Sequence, residues 1–339
     1  MPSLSRCTFL VALLVLVPAV ACGSNNNKKS NINGPPLAAT TAATPTVSRA
    51  TAATGAATNT AATATPAAAA ATQKPQPKNK TLLLSTTTST QDSGLLDELI
   101  PLFQQQSGYE VKTSAVGSGQ ALQLGAMGEA DVLLVHSPAA ELDFMAKNQG
   151  INRRLVMHND FIIVGPANDP AKIKGMPSAI DAMKAIAATK TPFISRGDNS
   201  GTNALELQLW KQAAIDPKGQ SWYIESGQGM GATLTIAAEK VAYTISDRAT
   251  YLATNKQNQL TIEVEKDPVL LNIYHVIQVN PANHTGLNVE GAQAFSDFMV
   301  APATQKVIAD FGKDKFGQAL FVPDAGKSDA DLQKPGSGG

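Results

Sequence analysis

The chain has 339 residues, with 27 Lys plus Arg balanced by 27 Asp plus Glu, a formal net charge of +0, and 5% aromatic residues. A neutral chain without a basic patch offers nothing for a nucleic-acid backbone to hold, so any selectivity for anions has to be local. Its only cysteines are Cys7 and Cys22, which excludes a disulfide, a thiol nucleophile and a cysteine-ligated metal from everything after residue 22.

In chain order, residues 1–22, "MPSLSRCTFLVALLVLVPAVAC", place Arg6 before an apolar run and then small residues. That is the build of a secretory signal, and the run is too short to span a bilayer comfortably. "PAVAC" resembles the lipobox of bacterial lipoproteins and marks Cys22 as a lipidation site, although Leu is usual where Ala19 stands. A cleaved signal with an incidental cysteine is the other reading. Residues 23–79 are Asn, Thr, Ala and Pro almost throughout. With so few large apolar side chains the segment cannot offset the entropy of ordering, so a disordered tether is expected; a glycosylated stalk also fits.

From residue 80 strands and helices alternate. "KTLLLSTTTST" reads as a buried strand and its exit loop, and "SGLLDELIPLFQQQSG" carries Leu95, Leu96, Leu99, Ile100 and Phe103 at helical spacing. "YEVKTSAVGSG" is a strand, "QALQLGAMGE" a short helix and "ADVLLVHS" a third strand. "PAAELDFMAKNQG" is a helix with Pro138 in its first turn and Gly150 past its end, and "RLVMHNDFIIVGP" is another strand. This βαβα run predicts a mostly parallel sheet covered by helices. After Gly165 come "TPFISRGD", "SWYIESGQGMG" and "VAYTISDRATYLA" as strands, separated by the helices "SGTNALELQLWKQAAI" and "ATLTIAAEK". The long β-rich "VLLNIYHVIQVNP" and a helical "VEGAQAFSDFMVAPATQKVIADFG" then return the chain to its first unit. The expected division is residues 80–164 and 266–325 for lobe 1, 165–265 for lobe 2, and a frayed tail at 326–339. Two α/β lobes joined by two crossovers leave a ligand cleft where strands end and helices begin.

Four strand-to-helix junctions are rich in Ser, Thr and Gly: "STTTST" at 85–90, "GSGQ" at 117–120, "DNSGT" at 198–202 and "GQGMGAT" at 227–233. Each alone is ordinary capping and turn chemistry. Four on the same side of one fold suggest anion sites, because the first turn of a helix leaves N–H groups free at its positive end. Arg196 adds the one full positive charge, with a fork suited to an oxyanion. Asp198, two residues on, either orients Arg196 or caps the helix that starts near Ser200. A carboxylate facing the ligand would select a protonated anion such as hydrogen phosphate, whereas a fully ionised tetrahedral dianion wants donors alone. The third strand ends in His136, Ser137 and Pro138, with no carboxylate, which favours the dianion.

Other features carry less. "GQGMGA" fails as a dinucleotide fingerprint at Ala232, and "VGSGQ" is not a nucleophile elbow. His136, His158, His275 and His284 lack metal-ligand spacing, so no metal is expected. Trp210 and Trp222 read as core or lobe-packing residues. Asp247 and Arg248 read as a local ion pair.

"STTTSTQDSGLL", "DVLLVHSPAAE", "NDFIIVGP", "FISRGDNSGTNALELQLW", "WYIESGQGMGATLTIAAEKVAYTISDRATYL" and "YHVIQVNP" occur in this order. Together they resemble the tungstate-binding lipoproteins of ABC transporters, over about Lys80 to Gly312. The R-x-D-x-S-G-T segment is shared with wider phosphate-binding relatives; the threonine run, "VHSPAAE" and "SGQGMGATL" are more specific to the tungstate group. The resemblance implies a two-lobe, type II Venus-flytrap α/β fold, no catalysis, no cofactor, and a permease and an ATPase as partners. It carries the family's ligand-binding positions onto Thr87, Thr88, Ser89, Ser118, Arg196, Ser200, Gly201 and Thr202, with Thr87 and Ser89 expected as the better donors. The family often has a histidine and lysines after that last threonine; here stand Asn203, Ala204 and Leu205, which bear on lobe packing or docking rather than on the ligand.

The leading expectation is therefore a lipid-anchored receptor facing outside the cytoplasm that captures tungstate for an importer. The same role for molybdate, phosphate or sulfate is the nearest alternative. Sulfate is disfavoured by its shorter bonds, while molybdate is almost isosteric with tungstate. An oxyanion sensor, or an extracytoplasmic serine hydrolase using Ser118 or Ser200, are the readings from other classes.

Overall fold

The structure, a computed structural model, describes residues 78–332. The expected signal peptide of residues 1–22, Cys22, the expected tether up to residue 77 and the last seven residues of the tail lie outside the described residues.

Lobe 1 opens with β1 (Thr81–Thr87), whose apolar TLLL start buries Leu82 and Leu84 before the polar end turns into α1 (Thr88–Asp92). There follow α2 (Leu95–Ser107), β2 (Glu110–Val116), α3 (Ser118–Ala126), β3 (Val132–Val135) and α4 (Pro138–Ala146). The spacing of Leu95, Leu96, Leu99 and Phe103 places them on the buried face of α2, as the pattern predicts. The long β4 (Gly150–Gly165) leads into the second lobe: α5 (Ala179–Thr189), β5 (Phe193–Ser195), α6 (Gly201–Gln212), β6 (Tyr223–Glu225), α7 (Met230–Glu239) and β7 (Tyr243–Asp247). The chain returns through α8 (Arg248–Asn258), β8 (Thr261–Val264) and β9 (Leu271–Val279). It finishes with α9 (Val289–Val300), α10 (Pro302–Asp310), α11 (Lys313–Phe316), β10 (Val322–Pro323) and α12 (Asp329–Leu332). Among the described residues no helix is long and apolar enough to cross a membrane.

The strand order is β2-β1-β3-β9-β4-β7-β5-β6. β1 pairs parallel with β2 and β3, and β5 pairs parallel with β6 and β7, but β9 and β4 run antiparallel to their neighbours. The sheet is thus mixed rather than mostly parallel. Hydrophobic periodicity identifies a strand but not the direction of its partner, and the returning β9 slots between β3 and β4 where no local signal announces it. β4 belongs to both lobes: Gly150–Asp160 pair with β9, and Phe161–Val164 pair with β7. The first crossover is therefore one continuous strand that changes partner at Asp160/Phe161.

Each lobe has its own apolar core. Phe103, Tyr274, Phe295 and Phe321 centre the first; Phe193, Trp210, Trp222 and Tyr243 centre the second, so both tryptophans are lobe 2 core residues. Arg248 does not pair with its neighbour Asp247. It reaches Asp160 (2.6 Å) and Glu265 (2.7 Å), tying the outgoing crossover to the returning one, while Asp247 caps α8 by accepting from the Thr250 amide at 2.9 Å. A side chain as long as arginine pairs with what the fold brings opposite, and the two crossovers lie closer in space than sequence suggests.

The expectation of a frayed tail from residue 326 needs correction. In α12, Asp329 bridges Arg153 (2.9 Å) and His275 (2.8 Å), which also contact the buried Glu141, and Leu332 packs with Leu155 and Ile273. The polar sequence conceals this, since the half-buried Arg153 on β4 and the buried His275 on β9 supply its partners.

Candidate functional site

All four Ser/Thr/Gly junctions gather around Arg196, the fourth through the Gly227 amide, which donates to the Arg196 carbonyl at 2.9 Å. Arg196 is 2% exposed and follows the end of β5 in lobe 2. From there one terminal nitrogen donates to Thr88 Oγ1 (2.9 Å) and Asp198 (2.5 Å), and the other to Ser89 Oγ (3.3 Å) in lobe 1. The starts of α3 and α6 face each other at the same place: the Gly119 amide donates to the Asn199 carbonyl at 3.2 Å. A Cβ on Gly201 would lie 2.4 Å from the His136 carbonyl, so only glycine allows α6 to begin against the end of β3. His136, in turn, donates its amide to Ser118 Oγ at 3.4 Å. Thr88, Ser89, Ser118, Arg196, Ser200, Gly201 and Thr202 are thus brought together from both lobes.

The hydrogen-bond inventory shows what this cluster can do. Ser200 caps α6 by accepting from the Asn203 amide at 3.2 Å, and Ser118 accepts from His136. Thr88 and Ser89 accept from Arg196. Each of these hydroxyls already receives a hydrogen bond, which leaves its own hydrogen to give. Arg196 Nε and Thr202 Oγ1 are buried with no partner among the described residues. A buried donor without an acceptor is costly, so such groups point to a ligand. Both oxygens of Asp198 are engaged by protein donors, Arg196 for one and the Ser200 amide (3.2 Å) for the other. Asp198 both orients Arg196 and supports the turn, and its pairing balances much of the Arg196 charge. What remains is a set of hydrogen-bond donors at the positive ends of α3 and α6.

Thr87 lies beside this cluster but is committed elsewhere. Its Oγ1 sits 3.1 Å from His136 Nε2, and the His136 Nδ1 sits 2.9 Å from Asn272 Oδ1. Burial, and then the Arg196 charge, hold the imidazole down to about 3, so it is neutral. With Nδ1–H donating to Asn272, Nε2 must accept, and the one hydroxyl hydrogen of Thr87 goes to it. The expectation that Thr87 is a leading donor therefore fails; it caps α1 instead, accepting from the Thr90 amide.

Several residues that shape the site gave no sequence signal of a role. Asn203 accepts from the Asn199 amide and donates to Ser195 and Glu206, which holds the 195–199 turn from below. Glu206 is buried and accepts from Ser195, Asn203, Trp210 and Tyr223 together. Burial pushes its carboxyl up against the pull of those four donors. The fourth junction differs from the other three. At the start of α7 the amides of Met230 and Gly231 donate to Thr88 Oγ1 (3.4 Å) and Asp92 (3.0 Å) of lobe 1, so they are not turned to a ligand.

A PBP superfamily domain matches residues 39–303. The chain is 51% identical over 257 residues to the tungstate-binding protein TupA of Peptoclostridium acidaminophilum, an alignment covering 75% of this chain and 89% of that protein. The chain belongs to the TupA family of the PBP superfamily. Two solved structures agree in fold and sequence. The tungstate ABC transporter structure from Geobacter sulfurreducens is 46% identical, with a TM-score of 0.63, over 68% of this chain and 99% of that one. The tungstate-binding protein TupA of Desulfovibrio alaskensis is also 46% identical, with a TM-score of 0.60, over 72% and 99%.

Proposed function

We propose that this protein captures tungstate outside the cytoplasm and delivers it to an ABC importer, with a lipid on Cys22 holding it at the membrane face. The observation that carries the reading is the donor set: buried Arg196 Nε and Thr202 Oγ1 without partners, beside hydroxyls that already accept. Such a lining suits a tetrahedral oxyanion with no proton of its own, because every oxygen finds a donor and no carboxylate demands a hydrogen in return. Hydroxyls of α1 and the starts of α3 and α6 replace the water of the anion, and Arg196 answers part of its charge. The closed lobes make contacts with the ligand that an open form cannot, so binding and closure are one equilibrium. A receptor of this kind hands its ligand unchanged to permease and ATPase subunits and needs neither cofactor nor catalysis.

The absence of a free acceptor among the lining groups described above favours tungstate over a protonated phosphate, and family membership together with the shorter bonds of sulfate favours it over sulfate. Calorimetric titration of the purified protein with tungstate, molybdate, sulfate and phosphate tests it. Tungstate should bind tightly, molybdate comparably or less, and phosphate and sulfate weakly. Tight phosphate binding with no response to tungstate would overturn the reading.

A further inference from the structure

We propose that Asp92 is a closure clasp: from lobe 1 it caps the start of α7 in lobe 2, and so holds the lobes shut over the oxyanion without touching it. The inference rests on the ligand reading above and extends it to a residue outside the binding set.

α7 is a ten-residue helix that begins at Gly229 with no side-chain cap of its own. Its first-turn amides would be left bare if the lobes parted. In the closed arrangement the Gly231 amide donates to Asp92 Oδ2 at 3.0 Å, and the Met230 amide makes a longer contact of 3.4 Å to Thr88. Asp92 is the last residue of α1, and a carboxylate at a helix start is a charge-assisted cap that also meets the positive end of the helix. In an open form that amide would face water and the carboxylate would lose its partner, so the bond contributes to closure alone.

Small residues make the contact possible. A Cβ on Gly231 would sit 3.2 Å from Asp92 Oδ2, and one on Gly229 would sit 3.1 Å from Thr88 Cγ2. Glycine is a poor helix former at position 231, and its presence in the first turn of α7 fits the need for close approach. Asp92 makes no ion pair with Arg196, which is paired with Asp198 instead.

The clasp and the simpler alternative predict opposite signs. If Asp92 were only a negative charge near an anion site, Asp92→Asn would remove repulsion and tighten tungstate binding. As a clasp, Asp92→Ala should weaken tungstate binding roughly tenfold or more, Asp92→Asn should weaken it less, and Gly231→Ala should also weaken it although alanine is the better helix former. The experiment is calorimetry with tungstate on the wild-type protein and these three variants. Ligand-free melting temperature serves as a folding control, and hydrogen exchange at the Gly231 amide as the direct readout. The expected result is weakened binding, an intact fold and loss of ligand-induced protection at Gly231. Equal or tighter binding by both Asp92 variants would overturn the clasp while leaving the ligand reading intact. A wild-type protein that takes up none of the tetrahedral oxyanions would overturn both.

Discussion

Thr87 Oγ1 lies 3.1 Å from His136 Nε2, and this pairing ties the start of α1 to the first crossover. His136 is bonded to Asn272, which donates to Asn159 at 2.7 Å; Asn159 and Asn272 are register partners on β4 and β9, one residue before β4 changes lobes. The loop that presents Thr88 and Ser89 is therefore braced against the crossover by a chain of neutral polar groups. Its position depends on tertiary pairing rather than on the threonine run alone.

His136→Ala should weaken oxyanion binding although His136 is not placed among the ligand donors, and it should change the acid limb of stability. The imidazole is held to about 3 against an ordinary 6.5, by burial first and the Arg196 charge second. Between those values the unfolded chain takes up a proton that the folded one refuses. Stability present above 6.5 is thus lost as pH falls toward 3. Melting temperature followed from about pH 7 to about pH 4 should fall less steeply in the variant. An unchanged slope would contradict the assignment.

Arg196→Ala should lower oxyanion affinity roughly tenfold or more with the fold retained, and Arg196→Lys should not rescue it, because an ammonium cannot hold Thr88, Ser89 and Asp198 while also offering an Nε–H. Titration calorimetry of both variants checks this. Unchanged affinity would remove Arg196 from the site.

Asp247→Asn should stabilise the ligand-free protein at neutral pH. Burial raises this carboxyl to about 6 from 3.8; one oxygen caps Thr250 and the other has no partner among the described residues. In that window the folded protein keeps a proton that the unfolded chain has lost, so stability falls as pH rises through it, and the deficit is complete above it. Asparagine keeps the cap without the charge. The gain at pH 7 should be at most about 3 kcal/mol and should vanish near pH 4. Denaturant unfolding at the two pH values measures it; an equal gain at both would contradict it.

Removing Asp329, by Asp329→Ala, should destabilise lobe 1 by about 1–2 kcal/mol and leave oxyanion affinity unchanged. The carboxylate is 29% exposed, so water screens part of its pairing with Arg153 and His275. Chemical denaturation with a parallel titration tests both halves, and an affinity loss would place α12 in the binding mechanism.

Cys22→Ser should release the protein from membranes. Fractionation of cells expressing the variant shows this directly, and continued membrane retention would argue against the lipid anchor.

The local chemistry of the site was legible in the sequence, and its wiring was not. The Ser/Thr/Gly character of the helix starts and Arg196 beside Asp198 follow from adjacent residues, whereas the cap at Ser200 and the close approach of Gly201 to His136 do not. The commitment of Thr87 to His136 joins positions 49 apart, and the contact between Asp92 and Gly231 joins positions 139 apart. Neither leaves a trace in periodicity or capping signals. The mixed sheet was hidden for the same reason, because β4 reads as a strand whichever way its partners run. The segment of α12 reads as a frayed tail only because Arg153 and His275, the partners of Asp329, lie far away along the chain.

Tungsten offers the most direct test, since it scatters anomalously and can be located without reference to any assumed pose. Crystals grown with tungstate should show one anomalous peak enclosed by Ser89, Ser118, Thr202 and Arg196 Nε, with Thr87 turned to His136. A peak elsewhere on the protein, or a peak at this place coordinated by a carboxylate, would contradict the account.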